Sequence, residues 1–192
     1  MRIGVLAMQG AFAEHIAVLK RLGIETVEVR LPEQLEKLDG LIIPGGESTS
    51  ITKLMRHYAL TKKLHQMATD NFPMFGTCAG MIVLAQGVAN GKITPIGVME
   101  INVKRNAFGR QVDSFETDID MPALGSKKFH AIFIRAPSIE SIGKNVKILA
   151  KLKDGTVIAA RQGKLLVTAF HPELTNDTRI HEYFLDIISG EK

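Results

Sequence analysis

Met74-Phe75-Gly76-Thr77-Cys78-Ala79-Gly80-Met81-Ile82-Val83-Leu84-Ala85 is the stretch on which the fold turns. A short apolar run enters it, a glycine-flanked cysteine sits at its centre, and a longer apolar run leaves it. That order reads as strand, tight turn and helix, a nucleophile elbow with cysteine in the serine position. Small neighbours permit the sharp turn and leave the thiol exposed at the carboxyl end of a strand. The helix N-terminus just beyond favours a thiolate there. The pentapeptide alone equally fits a buried structural thiol, the commoner fate of an unpaired cysteine. The rest of the chain has to decide between the two.

Upstream of the elbow, strand and helix alternate. Residues 2–7 read as a strand, and 11–22 as a helix whose apolar stripe is Phe12, Ile16, Leu19 and Leu22, ended by Gly23. Residues 25–30 form a second strand, and Pro32 opens a short helical turn. Gly40-Leu41-Ile42-Ile43 is a third strand, apolar throughout, as expected of a parallel strand covered on both faces. Helices follow from about Thr49 and over about 60–70. Downstream the chain is richer in strand: 97–104, 113–119 and 129–134, then a meander of 146–152, 156–161 and 165–170. A last helix covers about 178–188 behind Asn176-Asp177.

This rhythm predicts an α/β fold over 1–192 as a single domain. Its architecture is three-layer and flavodoxin-like, with a largely parallel central sheet and helices on both faces. In such folds the site lies outside the carboxyl ends of the strands. Three loops therefore carry most weight: Met8-Gln9-Gly10, Pro44-Gly45-Gly46-Glu47-Ser48 and the Cys78 elbow.

Composition narrows the setting. The chain is 45% hydrophobic and 23% charged, an ordinary globular balance, and 192 residues are enough to bury a core without disulfide or metal staples. One cysteine permits no internal disulfide, and no Cys/His cluster has zinc spacing. A cytoplasmic location is expected, with no metal and no cofactor. No apolar run reaches membrane-spanning length. The net charge of +4 comes from scattered Lys and Arg without interleaved aromatics, so neither a nucleic-acid nor a membrane partner is expected.

The second chemical signal is Leu165-Leu166-Val167-Thr168-Ala169-Phe170-His171-Pro172-Glu173. An apolar strand delivers a histidine and a carboxylate two positions apart. In an extended segment these share a side, and Pro172 biases His171 away from helix. An imidazole beside a thiol takes and returns a proton, and a carboxylate orients that imidazole. His15, His57, His65, His130 and His181 show no such partner pattern in the sequence. The order Cys, His, Glu also differs from the nucleophile, acid, histidine order of α/β-hydrolases. An oxyanion hole is needed as well. The amide of Ala79 is one natural donor, and the Gly45-Gly46 loop supplies a second.

Together, Gly76–Gly80, Pro44–Ser50 and His171-Pro172-Glu173 resemble the class I (triad) glutamine amidotransferases. Leu6–Ala11, Arg105-Asn106-Ala107-Phe108-Gly109-Arg110-Gln111, Phe115-Glu116 and Phe133–Pro137 narrow the resemblance to glutaminase subunits of pyridoxal 5′-phosphate synthase. The likeness spans essentially the whole chain. It implies a Cys78, His171 and Glu173 triad that hydrolyses L-glutamine to glutamate and ammonia through a thioester. It implies glutamine contacts from Gly46, Glu47, Ser48, Arg105, Ile134 and Arg135, and an oxyanion hole at Gly46 and Ala79. It also implies that Gln9 lies at the contact with a synthase subunit, which uses the ammonia for vitamin B6 synthesis in a heteromeric complex. Activity is expected to be low until that partner docks, since a glycine pair flips a peptide cheaply. Met8 in place of a leucine, and Met99-Glu100 in place of a Leu-Asp-like pair, depart from the family pattern away from the triad. Two other readings remain: a γ-glutamyl hydrolase-like cysteine hydrolase of the same fold, and a non-catalytic docking subunit.

Overall fold

The computed structural model describes residues 1–89, 93–108 and 114–192. In chain order its strands and helices begin β1 (Arg2–Leu6), α1 (Phe12–Arg21), β2 (Glu25–Val29), β3 (Gly40–Ile43), α2 (Ser48–His57), α3 (Leu60–Thr69) and β4 (Met74–Thr77). They continue with α4 (Ala79–Leu84), β5 (Ala85–Ala89), β6 (Met99–Lys104), β7 (Ser114–Ile119), β8 (Phe129–Ile134) and β9 (Ser138–Ile142). The last are β10 (Lys147–Lys151), β11 (Val157–Gln162), β12 (Leu165–Thr168) and α5 (Arg179–Ser189).

The main sheet runs β2-β1-β3-β4-β12-β11-β9-β6-β5, with β10 paired to β11. The five strands from β2 to β12 run parallel to one another. The meander β10-β11-β12 turns antiparallel, as its short glycine turns require. The α/β fold with a central sheet, parallel through the part that matters for the site, is therefore as expected. β3 and β4 have every residue buried, which explains why β3, and β4 up to Thr77, are apolar. Phe75 on β4 packs against Phe184 of α5, with ring centroids 5.6 Å apart, and lies edge-on to His15 of α1. A second helical group is formed by α2 against α3 and α4, with α4 against β3 and β4. No helix among the described residues is long and apolar enough to cross a membrane.

Two strands escaped the sequence reading. β5 continues directly from α4, because the apolar run Met81–Ala85 leaves helix at Ala85, where ψ is 150°. β9 follows Pro137 and pairs with β6; its Glu140 and Ser141 weaken the apolar pattern that would announce it. The segment expected at 113–119 is present from Ser114, and Asp113 lies outside the described residues.

Four strand ends converge. β1, β3, β4 and β12 are contiguous and parallel, so the loops after them open on one edge of the sheet. Those loops carry Gln9, Gly46, Cys78 and His171.

Candidate active site

The elbow is built by backbone strain and close approach. Cys78 has φ 48° and ψ −103°, outside the regions an L-residue occupies freely. Its N–H donates to Thr168 O at 2.8 Å, which ties the turn to β12, and its carbonyl accepts from Met81 N–H at 3.1 Å. Gly80 lets the first turn of α4 rest on β3, since a Cβ there would run into the Ile43 carbonyl. Gly45 lies just as close to its neighbours: a side chain on it would meet the His171 ring and Cys78 Cβ. The glycines are therefore spatial requirements of the site.

His171 and Glu173 arise differently from the sequence expectation. β12 ends at Thr168, and Pro172–Leu174 is a single 3-10 turn; the segment is not an extended strand end. Proline fits the first position of that turn, and His171 has φ −103° and ψ 85° just before it. The turn still places His171 Nδ1 2.6 Å from Glu173 Oε1, a short charge-assisted bond. His171 N–H also donates to Ile132 O on β8 at 2.9 Å, which fixes the ring's backbone. The Glu173 side chain is fully buried and the His171 side chain 8% exposed.

Burial by itself would lower the His171 pKa. Hydrogen bonding to the Cys78 sulfur and to Glu173 overcomes it and pushes the imidazole up to about 10, so the ring rests as an imidazolium. Burial likewise works against the Glu173 carboxylate, but His15 and the His171 bond hold its pKa below the usual value. The Cys78 sulfur also lies 3.9 Å from Ile134 O, a weak contact.

A cleft of about 260 Å³ opens over the elbow. Gln9, Gly46, Glu47, Ser48, Cys78, Ala79, Arg105, Ile134, Arg135 and His171 all line it. Of the triad, glutamine-contact, oxyanion-hole and partner-contact residues that the resemblance implies, all line the cleft except Glu173, which stands behind His171. Of the Arg105–Gln111 stretch, Gly109, Arg110 and Gln111 lie outside the described residues.

The loop after β3 is held from three sides. Gly45 N–H donates to Thr77 Oγ1 at 3.0 Å, and Gly45 O accepts from Ala11 N–H at 3.1 Å. Because C=O and N–H of a trans peptide point oppositely, Gly46 N–H faces away from α1. Glu47 N–H donates to Gln9 Oε1 at 2.6 Å. The Glu47 carboxylate caps α2, accepting from Thr49 N–H at 2.9 Å and Ser50 N–H at 2.7 Å, with Arg105 Nη2 3.5 Å away. Burial is the largest single influence and works against this charge; the donors at Thr49 and Ser50 together prevail and hold its pKa at about 2. Arg135, with φ 43°, brings a second cation to the rim. Glu47 and the two arginines place charges of both signs beside a thiol, the pattern that a zwitterionic amino acid requires.

Residues 5–189 match the SNO glutamine amidotransferase family. The chain belongs to that family. It is 56% identical over 190 residues to a pyridoxal 5′-phosphate synthase subunit PdxT of Herpetosiphon aurantiacus, covering 97% of this chain and 100% of that one. It is 55% identical to the PdxT of Moorella thermoacetica, covering 98% and 100% of the two chains. A crystal structure of a glutamine amidotransferase, 48% identical, superposes with a TM-score of 0.92 over 97% of this chain and 98% of its own. A putative GMP synthase subunit of Thermoplasma acidophilum, 18% identical with a TM-score of 0.73 and covering 100% and 95%, shares the fold.

The sequence reading missed three contributors. Thr77 receives the Gly45 N–H, but a threonine ending an apolar strand gives no signal of that role. His15 and His181 were read as lacking partners. The structure buries both completely, 3.0 Å apart, with His15 beside Glu173. His15 occupies the buried face of a helix, a position whose pattern calls for an apolar residue, and that mismatch was the available clue. His130 also has partners, Asp118 and Glu116, each at 2.9 Å on the exposed face of the β7-β8 hairpin. They are brought together by strand pairing that spacing alone does not reveal. His57 and His65 are exposed.

Proposed function

We propose that this amidotransferase chain is a glutaminase that releases ammonia from L-glutamine for a pyridoxal 5′-phosphate synthase partner. The observation that carries this reading is the convergence of Cys78 and the His171–Glu173 pair with Glu47, Arg105 and Arg135 around one cleft. Glu47 takes the α-ammonium of glutamine, and Arg105 and Arg135 take its α-carboxylate. Gly46, Ser48 and Ile134 line the path that delivers the side-chain amide to the thiol.

Cys78 thiolate adds to the amide carbon, and the carbonyl π pair moves to oxygen. That oxyanion rests on the N–H groups of Gly46 and Ala79. Ala79 opens α4, so its N–H has no intrahelical acceptor and is available. His171 imidazolium gives its Nε2 proton to the departing nitrogen, and ammonia leaves with the C–N bonding pair. The neutral imidazole next takes a proton from water, and the hydroxide adds to the thioester. The C–S bond breaks, thiolate and imidazolium are restored, and glutamate departs. Glu173 stays ionised throughout and stabilises the imidazolium.

The PdxT relatives support this partner, and Gln9, bonded to Glu47 N–H of the loop after β3, is the residue assigned to the contact with it. The test combines the chain with a pyridoxal 5′-phosphate synthase subunit and measures product from glutamine and from added ammonia. Cys78→Ala is expected to abolish the glutamine-dependent route and to leave the ammonia route intact. Unchanged glutamine-dependent synthesis by Cys78→Ala overturns the proposal. Equal glutaminase rates with and without the synthase subunit would sink the idea of partner-dependent activation.

A further inference from the structure

Behind the catalytic pair stands a second, buried pair. His15 on α1 and His181 on α5 have no exposed surface, and His15 Nδ1 lies 3.0 Å from His181 Nε2. His15 Nε2 lies 3.2 Å from Thr77 Oγ1 and 3.4 Å from Glu173 Oε2. That carboxylate oxygen has no hydrogen-bond partner, and neither has His181 Nδ1. Phe75 packs edge-on against both imidazoles. Two leucines would bury in that setting at lower cost, because a buried polar group is costly unless it is hydrogen-bonded.

We propose that His15 is a positioning residue of the triad: its neutral Nε2–H faces the second oxygen of Glu173, leaving the first for His171, and His181 fixes the tautomer of His15 from behind. The inference rests on the catalytic roles given above to His171 and Glu173.

Electrostatics select this tautomer. With the proton on Nε2, His15 donates to Thr77 Oγ1 and sets the positive end of that N–H against Glu173 Oε2 at 3.4 Å, while its bare Nδ1 accepts from His181 Nε2–H. With the proton on Nδ1, a nitrogen lone pair would face a carboxylate oxygen, and His181 would bury an unpaired N–H. The first arrangement leaves a bare nitrogen acceptor and the Thr77 hydroxyl proton unpaired; the second pairs that hydroxyl with His15 Nε2 but sets the ring lone pair against a buried carboxylate and buries an unpaired N–H, and the charge makes the second the costlier. The groups facing His15 are Glu173 and His171 from the turn after β12, Glu14 from its own helix, and His181 from α5; Arg21 acts on His181. Burial is the largest influence on both rings and drives both toward the neutral form. α1 thus reaches both sides of the chemistry: Ala11 at its start holds Gly45 O, and His15 one turn later faces Glu173.

The test compares His15→Leu, which removes the donor, with His15→Gln, whose amide nitrogen restores a donor near Nε2. His15→Leu is expected to lower kcat for glutamine by about 10- to 100-fold, the range for loss of a residue that orients a ligand from behind. KM should stay within about threefold, since His15 does not line the cleft. His15→Gln should recover most of the rate. In the wild-type protein, ring nitrogen NMR should show His15 protonated at Nε2 and bare at Nδ1 from pH 6 to 8, a readout that needs no variant to fold. A His15 protonated at Nδ1, or equal impairment of the Leu and Gln variants, overturns the proposal. So does a Leu variant with wild-type kcat. Cys78→Ala run in parallel separates this failure from that of the catalytic reading, because it addresses the nucleophile alone.

Discussion

Glu173→Gln changes one atom type at the most buried point of the site. The carboxylate accepts from His171 Nδ1–H at 2.6 Å with its side chain fully shielded. Raising the imidazole from 6.5 to about 10 corresponds to roughly 5 kcal/mol favouring the imidazolium, net of burial. The Cys78 sulfur and Glu173 supply the opposing pull, so removing the Glu173 charge takes away part of that preference. Tautomer choice adds to the loss. The glutamine amide can offer His171 its oxygen only by turning its NH₂ toward the donor on His15; the reverse orientation forces the His171 proton onto Nε2. That is the wrong tautomer for a base, and in Ser-His-Asp systems the equivalent change lowers kcat by about 10⁴. The expected loss here is therefore between about 10² and 10⁴ in kcat, with KM for glutamine little changed. Glutamate release at saturating glutamine, with the synthase subunit present, measures the rate, and NMR titration of His171 measures its pKa. A variant within tenfold of wild type whose His171 still titrates near 10 would refute the reasoning.

Gly80→Ala drives a methyl group into the Ile43 carbonyl, a fixed backbone atom, and should destabilise the chain by about 3 kcal/mol or more in urea unfolding. Glu47→Ala removes the α2 cap and should lose about 1 kcal/mol of stability, together with a raised KM for glutamine in steady-state kinetics. The raised pKa of His171 contributes stability that is fully present below about pH 6.5 and disappears as pH rises through about 10. The lowered pKa of Glu173 contributes stability present above about pH 4.5 and lost as pH falls through its folded value. Unfolding free energy should therefore decline from pH 6.5 to 10, and Cys78→Ala, which removes one support of the imidazolium, should flatten that decline.

Much of this architecture is legible because its signals are local. β3 and β4 are buried on both faces, so Gly40–Ile43 and Met74–Gly76 are apolar without alternation. The elbow needs small residues at fixed offsets, so Gly76 and Gly80 flank Cys78. The His171–Glu173 contact was foreseen for the wrong backbone reason: a 3-10 turn begun by Pro172 makes it, and a two-residue offset suits both geometries. β5 and β9 were hidden, one by an apolar run that changes from helix to strand without punctuation, the other by polar residues within it. The His15–His181 pair joins residues 166 apart, and the packing of α1 and α5 that creates it leaves no local trace.

The central claim is that Cys78 becomes acylated by the side chain of glutamine. Intact-mass spectrometry of the chain, quenched in acid during turnover with glutamine and the synthase subunit, tests it directly. A glutamyl thioester adduct is expected that maps to the Cys78 peptide, is lost on base treatment and is absent from Cys78→Ala. Robust glutamate release with an adduct on another residue, or with the same rate in Cys78→Ala, would contradict it.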